Sequence, residues 1–302
     1  MKKKILIIGG NGFIGTNLAD ILIDSGYAVN SFDLAEPLRK NKNVNYIRGD
    51  FFDDNTLEKI TEDIDVIIHA ISTVNPGNSN THYMRGYTKD FIQTIKLCEI
   101  VIKKNIKMIF LSSGGTVYGN QEVQPIIEET RAQPINHYGN IKLCMENTIR
   151  TFNTQLHTKM LIARISNPYG PGQDYHKGVG FVDAVLKKAI SGEDVEIWGD
   201  GTTERDYIFI QDACKMIVSL IDYQDNEDVF NISVNRGASQ KEILDIVKNL
   251  GLHFKVKYLE GRSVDVKRIV LDNSKIKKIY SDKIVTLEEG IKIYYEYLLK
   301  EL

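Results

Sequence analysis

Tyr138 and Lys142 stand four residues apart in the segment His137-Tyr138-Gly139-Asn140-Ile141-Lys142. On a helix that spacing puts a phenol and an ammonium on one face, one turn apart. A cation beside a phenol stabilises the phenolate and lowers its pKa, which turns a poor base into one usable near neutral pH. By itself the pair is an ordinary surface pattern. It gains meaning only if the rest of the chain builds a cofactor site and a substrate site around it.

A second chemical signature lies near the start of the chain, in Gly9-Gly10-Asn11-Gly12-Phe13-Ile14-Gly15, where Gly9, Gly12 and Gly15 recur every third residue. Glycines there permit a tight turn and a close approach of backbone to a pyrophosphate, with the N–H groups and positive end of a following helix aimed at it. Phe13 and Ile14 of the same turn belong to this cofactor site or pack beneath it. Asp33 ends the next apolar run. Its carboxylate can accept from both ribose hydroxyls of NAD and would repel a 2′-phosphate. Leu34 and Ala35 supply no arginine for such a phosphate, so NAD is favoured over NADP. Asp50, followed by Phe51, is placed to reach the adenine edge.

Hydrophobic patterning predicts the elements that must position these groups. Short apolar runs at 4–8, 28–32, 45–48, 66–69, 108–112 and 160–165 lack strict alternation, as expected for strands buried on both faces. Helical periodicity covers 13–24, 57–62, 83–103 and 138–152. This alternation predicts an α/β fold: a Rossmann-type, doubly wound parallel sheet with a smaller C-terminal substrate-binding lobe. Residues 1–166, with about 208–235 returning to them, form the cofactor domain; 167–207 and 236–302 form the lobe.

Composition narrows the partners. With 302 residues, 42% hydrophobic and 26% charged, the chain can bury a sizeable core. A net charge of −2 gives no reason to expect nucleic acid or an anionic membrane. Cys98, Cys144 and Cys214 fit no disulfide framework or zinc spacing and read as free thiols. His82, His137, His157, His176 and His253 show no ligand spacing, so no metal is expected. The apolar run after Lys2-Lys3-Lys4 is too short for a signal peptide and no stretch spans a bilayer, which predicts a cytoplasmic protein.

Further motifs follow in order: His69-Ala70, Ser112 to Gly119 (SSGGTVYG), Arg164 to Gly172 (RISNPYGPG), Gly199 to Tyr207 (GDGTTERDY), Phe230-Asn231, and Gly261 to Asp265 (GRSVD). With the glycine turn, Asp50 and Tyr138-x-x-x-Lys142, the chain resembles the extended short-chain dehydrogenase/reductase superfamily. Within it, the resemblance is to the NAD-dependent nucleotide-sugar epimerase/dehydratase branch and its UDP-glucose 4-epimerase-like members. It covers nearly the whole chain.

The resemblance implies NAD as cofactor, with Ala70 beside it and Lys142 on the nicotinamide ribose, and Tyr138 as the acid/base on a sugar 4-hydroxyl. It also implies Asn167, Arg205, Arg262 and Asp265 as binders of a UDP-sugar or dTDP-sugar, although Asn231 and Asp265 read equally well as loop-fixing residues. The hydroxyl that such enzymes place four residues before the Tyr of V-Y-G is missing, because Gly114 occupies the position. Thr116 is the first substitute, Ser113 the second; a water or the substrate itself is the third. Gly115 and Thr116 stand where 4,6-dehydratases carry Asp-Glu, so dehydration is not expected. The implied reaction is 4-epimerisation of a UDP-hexose (UDP-glucose/UDP-galactose or an N-acetyl analogue) through a 4-keto intermediate, in surface polysaccharide biosynthesis. A 4-keto reductase making a nucleotide-linked deoxysugar is the alternative. Ile269, where some relatives use a bulky Tyr, would widen the pocket for an N-acetyl group. Relatives also imply a homodimer through helices 83–103 and 138–152.

Overall fold

Strands with little polar content must be covered on both faces, and seven of them line up side by side in parallel. The computed structural model describes residues 2–261 and 266–301. Its thirteen strands among those residues are β1 (Lys4–Ile8), β2 (Ala28–Asp33), β3 (Val44–Arg48), β4 (Val66–His69), β5 (Lys107–Ser113), β6 (Leu161–Ile165), β7 (Asn167–Tyr169), β8 (Val195–Trp198), β9 (Glu204–Phe209), β10 (Val229–Ile232), β11 (Gly237–Ser239), β12 (Val256–Leu259) and β13 (Arg268–Ile269). The main sheet runs β10-β6-β5-β4-β1-β2-β3, so strand order reverses between β1 and β4. A crevice opens at such a reversal, beyond the carboxyl ends of the strands. The glycine turn follows β1 there, and Ala70 follows β4.

Helices cover both faces of this sheet. On one side Leu18 and Leu22 of Phe13–Asp24 share a core with Met216 and Ile217 of Ile210–Ser219. On the other, Leu97 and Val101 of Ile92–Lys104 pack with Ile141, Met145 and Ile149 of His137–Leu156. The second helix starts where Asn136 accepts a hydrogen bond from the Gly139 amide at 2.8 Å, an N-cap that places Tyr138 in its first turn. It ends at His157 in the left-handed conformation, as Ile92–Lys104 ends at Asn105.

One predicted element differs. The single helix expected over 83–103 is a helix at Ser79–Arg85, a π-helical turn at Gly86–Phe91 and a helix at Ile92–Lys104. A π turn carries more than 3.6 residues, so apolar periodicity does not reveal it. The short strands of the second lobe were also not expected. There β9 pairs with β7, β11 and β13, β8 pairs with β12, and Val185, Leu186, Ile243, Val247, Ile291 and Tyr294 fill the core between three helices. Asp206 of β9 ties this lobe to the main sheet. Its fully buried carboxylate accepts from the amides of Val234, Asn235 and Leu271.

Beneath the crevice, Glu146 and Arg164 form a buried ion pair at 2.6 Å, and Ser112 donates to the same carboxylate. The Arg164 guanidinium lies 4.7 Å from the centre of the Tyr118 ring. Glu146 stands one turn beyond Lys142, so this pair fixes the reactive helix to β5 and β6. Replacing Glu146 by Ala leaves Arg164 buried and unpaired. The expected loss is about 3–5 kcal/mol of unfolding free energy, read from the urea midpoint; an unmoved midpoint would show that the pair does not anchor the helix.

Candidate active site

The glycine turn has the geometry of a phosphate cradle. Gly9 has φ +82°, and a Cβ there would lie 2.8 Å from backbone atoms of Ile71. A Cβ on Gly15 would lie 2.5 Å from the Gly9 carbonyl oxygen, so the first helical turn sits directly on the loop. Gly12 is the N-cap of Phe13–Asp24 and supplies no side-chain cap. The leading amides of that helix therefore keep no side-chain acceptor and can face an anion. Asp33 holds the turn in shape: Oδ2 accepts from the Asn11 amide at 3.1 Å and Oδ1 from the Ala35 amide at 3.0 Å. A carboxylate has about four lone-pair sites, so acceptor capacity for ribose hydroxyls remains. These features fit a dinucleotide of the NAD type. Asp50 is exposed and its Oδ1 accepts from the Phe52 amide. The Phe51 side chain points into the core, against His69, and so meets a cofactor only through its backbone.

From Phe13, Ile14 and Ala70 a cleft of about 620 Å³ runs past Ser113, Thr116, Tyr138 and Lys142 to Asn167, Trp198, Arg205 and Tyr207. Sequence reasoning did not anticipate Ser72, Asn75, Gln173, Phe181, Trp198 or Gln240 on its wall. Ser72 and Asn75 follow β4 at the strand-order reversal, which is the one signal that could have marked them. Buried side-chain oxygens of Gln173 and Gln240 have no partner on the chain and are acceptors available to a ligand. Among the described residues no carboxylate lines this cleft, and none of them form a metal-ligating cluster.

Burial dominates the electrostatics of the reactive pair. The Tyr138 phenol is pushed up to about 12 by desolvation and then by the negative charge of Asp90. The Lys142 ammonium is pushed down to about 8 by desolvation, against the opposing charges of Asp90 and Glu146. This corrects the expectation that Lys142 lowers the pKa of the phenol. Lys142 Nζ lies 5.8 Å from the Tyr138 ring centre and donates to the Leu111 carbonyl at 2.9 Å. At that separation its charge does not outweigh the loss of water. His69, between the rings of Phe51 and Phe110, is held neutral by burial, down to about 3, and meets the Thr94 hydroxyl at 2.8 Å.

Gly114 has a steric reason. A Cβ there would overlap the buried Leu271 side chain and lie 3.2 Å from the Arg164 carbonyl. A serine at 114 thus requires Leu271 to move. Two residues on, Thr116 Oγ1 is enclosed with no partner on the chain. An orphaned buried hydroxyl costs about 1–3 kcal/mol unless a ligand takes it up. Gly139 admits the Thr116 backbone against the helix of Tyr138, since a Cβ on Gly139 would overlap the Thr116 carbonyl. Ser113 also lines the cleft, as the N-cap of the short helix Gly114–Val117.

Asn167 and Arg205 both reach the cleft; Asn167 Nδ2 donates to the Asp206 carbonyl, and Arg205 Nη1 to the Glu204 carbonyl. Arg262 and Asp265 lie outside the described residues. Asn231 is fully buried away from the cleft. It accepts from the Tyr118 hydroxyl and donates to the Ile126 and Asp272 carbonyls, a structural role. Ile269 is likewise buried, beside Val117, Tyr118 and Leu271, because β13 is paired on β9. The wall residue is Val266, so the expected widening at Ile269 does not occur.

Comparison with known proteins gives a consistent set. A family model described as the NAD dependent epimerase/dehydratase family matches residues 5–233. A provisionally named UDP-glucose 4-epimerase of Methanocaldococcus jannaschii is 31% identical over 295 residues, 95% of this chain and 96% of that protein. A dTDP-4-dehydro-6-deoxyglucose reductase of Escherichia coli is 28% identical over 82% of this chain and 81% of its own. The crystal structure of a Thermotoga maritima UDP-glucose 4-epimerase with UDP-glucose superposes with a TM-score of 0.93 at 31% identity, covering 99% of both chains.

The double use of Asp33 yields a test. Asp33→Asn keeps one of the two acceptors that hold the turn and removes the charge. NAD affinity is expected to fall by about 1.5–3 kcal/mol, the contribution of hydrogen bonds to a charged group, and NADP affinity to fall less. Isothermal titration with both cofactors measures this, and an unchanged preference removes Asp33 from the ribose site.

Proposed function

Because the chain belongs to the NAD-dependent epimerase/dehydratase family, we propose that it is an NAD-dependent UDP-hexose 4-epimerase. The observation that carries this reading is a cleft whose reactive groups are a phenol, an ammonium and hydroxyls, with no carboxylate among its described residues. Removing a C5 proton and a C6 hydroxyl needs an additional acid and base. Redox chemistry at C4 needs only one proton acceptor at O4.

NAD, when bound, carries a positive nicotinamide ring that accepts and returns a hydride. The residues that would hold it are Gly9, Gly12 and Gly15 at the pyrophosphate and Asp33 at the ribose. Tyr138 takes the O4 proton as the C4–H bond breaks and gives it back when that bond reforms on the other face of the sugar. Lys142 keeps a positive charge near the phenol. Thr116 holds O4 through the hydroxyl that Gly114 cannot supply. Asn167 and Arg205 orient the diphosphate, a guanidinium pairing with phosphate oxygens in two parallel bonds. Arg262 and Asp265 are assigned to the same ligand from their motif alone.

We further propose a role in surface polysaccharide synthesis in the cytoplasm, and a homodimer through 83–103 and 138–152. No helix among the described residues is long and apolar enough to cross a membrane. Exposed Tyr83, Met84 and Ile92 support the pairing surface. The likeness to the E. coli reductase favours one second reading, a 4-keto reductase acting on a dTDP- or UDP-linked deoxysugar.

Incubation with UDP-glucose, UDP-N-acetylglucosamine and a dTDP-4-keto-6-deoxy sugar, followed by NMR of the products, separates the two. Inversion at C4 of a UDP-hexose without added NAD(P)H is expected. Turnover of the keto sugar alone, dependent on added NAD(P)H, would establish the reductase. In the same assay Tyr138→Phe abolishes turnover and Thr116→Val lowers kcat by about a hundredfold, the effect of losing one transition-state hydrogen bond. Ser113→Ala costs far less; the reverse order would transfer the O4 contact to Ser113.

A further inference from the structure

Asp90 occupies the π-helical turn Gly86–Phe91 and is only 3% exposed. One carboxylate oxygen is fixed: Oδ2 accepts from the Ser72 hydroxyl at 2.9 Å and from the Thr73 amide at 2.8 Å. The other, Oδ1, is buried without a partner on the chain. Ser72 itself lines the cleft with Tyr138 and Lys142. The turn packs closely on the reactive helix, since a Cβ on Gly86 would overlap Ile141, the residue before Lys142.

A buried carboxylate oxygen without a hydrogen bond is costly to keep. Its surroundings limit what it can act on. On the facing helix stand Tyr138, Lys142 and, farther along, Glu146. On β4 stands His69, which is neutral and reaches Asp90 only through Thr94, whose hydroxyl donates to the Asp90 backbone carbonyl. On its own turn, Tyr87 meets His137 and Lys89 lies over the Phe52 ring. Tyr138 and Lys142 both feel the Asp90 charge.

We propose that Asp90 is a positioning residue for the reaction: its buried carboxylate keeps the Lys142 ammonium charged, opposes premature ionisation of Tyr138, and so sets the pH range in which the pair works. This rests on the acid–base roles assigned above to Tyr138 and Lys142. The anion stabilises the ammonium and destabilises the phenolate, raising both pKa values. Removing it lowers both. The two limbs of the pH–rate profile therefore move together to lower pH, whichever group governs each limb.

Asp90→Asn tests this, because its amide oxygen still accepts from Ser72 and Thr73 while the charge is gone. Both limbs of kcat/KM are expected to shift acidward by about one pH unit, the scale of one neighbouring charge. Independently of turnover, the 13Cζ signal of Tyr138, assigned with Tyr138→Phe, should titrate at lower pH in the variant. Asp90→Ser, which removes the charge without adding volume, should give the same shifts. If rate falls while both limbs and the Tyr138 titration stay in place, Asp90 only supports the turn and the proposal is overturned. Because the titration needs no substrate, a wrong assignment of the sugar reaction would leave it intact.

Discussion

Burial of an acid and a base side by side is the constraint on which the site depends. Water stabilises both the phenolate and the ammonium, and the cleft removes much of it. Desolvation drives Tyr138 and Lys142 toward their neutral forms, up to about 12 and down to about 8. The proposed proton transfer at O4 needs the opposite state, an ionisable phenol beside a charged lysine. The chain supplies part of the correction through the carboxylates of Asp90 and Glu146, which favour the ammonium. NAD, when bound, would add positive charge to the same cleft.

The fold serves that constraint by close approach. Four glycines allow approaches where a Cβ would not fit: Gly15 on the Gly9 backbone, Gly139 on the Thr116 backbone, Gly86 on the Ile141 side chain and Gly114 on the Leu271 side chain. The first makes the phosphate cradle. The next two bring the hydroxyl loop and the Asp90 turn onto the reactive helix. The fourth leaves position 114 without a hydroxyl, two residues before the enclosed hydroxyl of Thr116. The Glu146–Arg164 pair, with Ser112, then pins the helix to β5 and β6 from below.

Much of this was legible in the sequence where the cause is local. The glycine turn, Asp33 at the end of β2 and the Tyr138-x-x-x-Lys142 spacing each depend on a few consecutive residues, and the unpatterned apolar runs announced a parallel sheet buried on both faces. What stayed hidden depends on contacts between distant segments. Leu271 explains Gly114, yet it lies far along the chain. Asp90 lies buried beside Ser72 in a π turn that apolar periodicity does not reveal. An ungapped count placed Ile269 at the pocket, but the pairing of β13 with β9 turned that residue inward. The lowered phenol expected from Lys142 failed for a similar reason: spacing gives proximity, whereas burial of the pair is a property of the whole cleft.

The proposed activity is reversible redox chemistry at C4 with one proton carrier and, among the described residues, no carboxylate on the cleft wall. The most direct measurement follows UDP-glucose deuterated at C4 through turnover in ordinary water. The expected product is UDP-galactose that keeps its deuterium at the inverted C4, with no exchange into solvent. Product that has lost the label to water, or a label found only in added cofactor released to solution, would contradict the proposed activity.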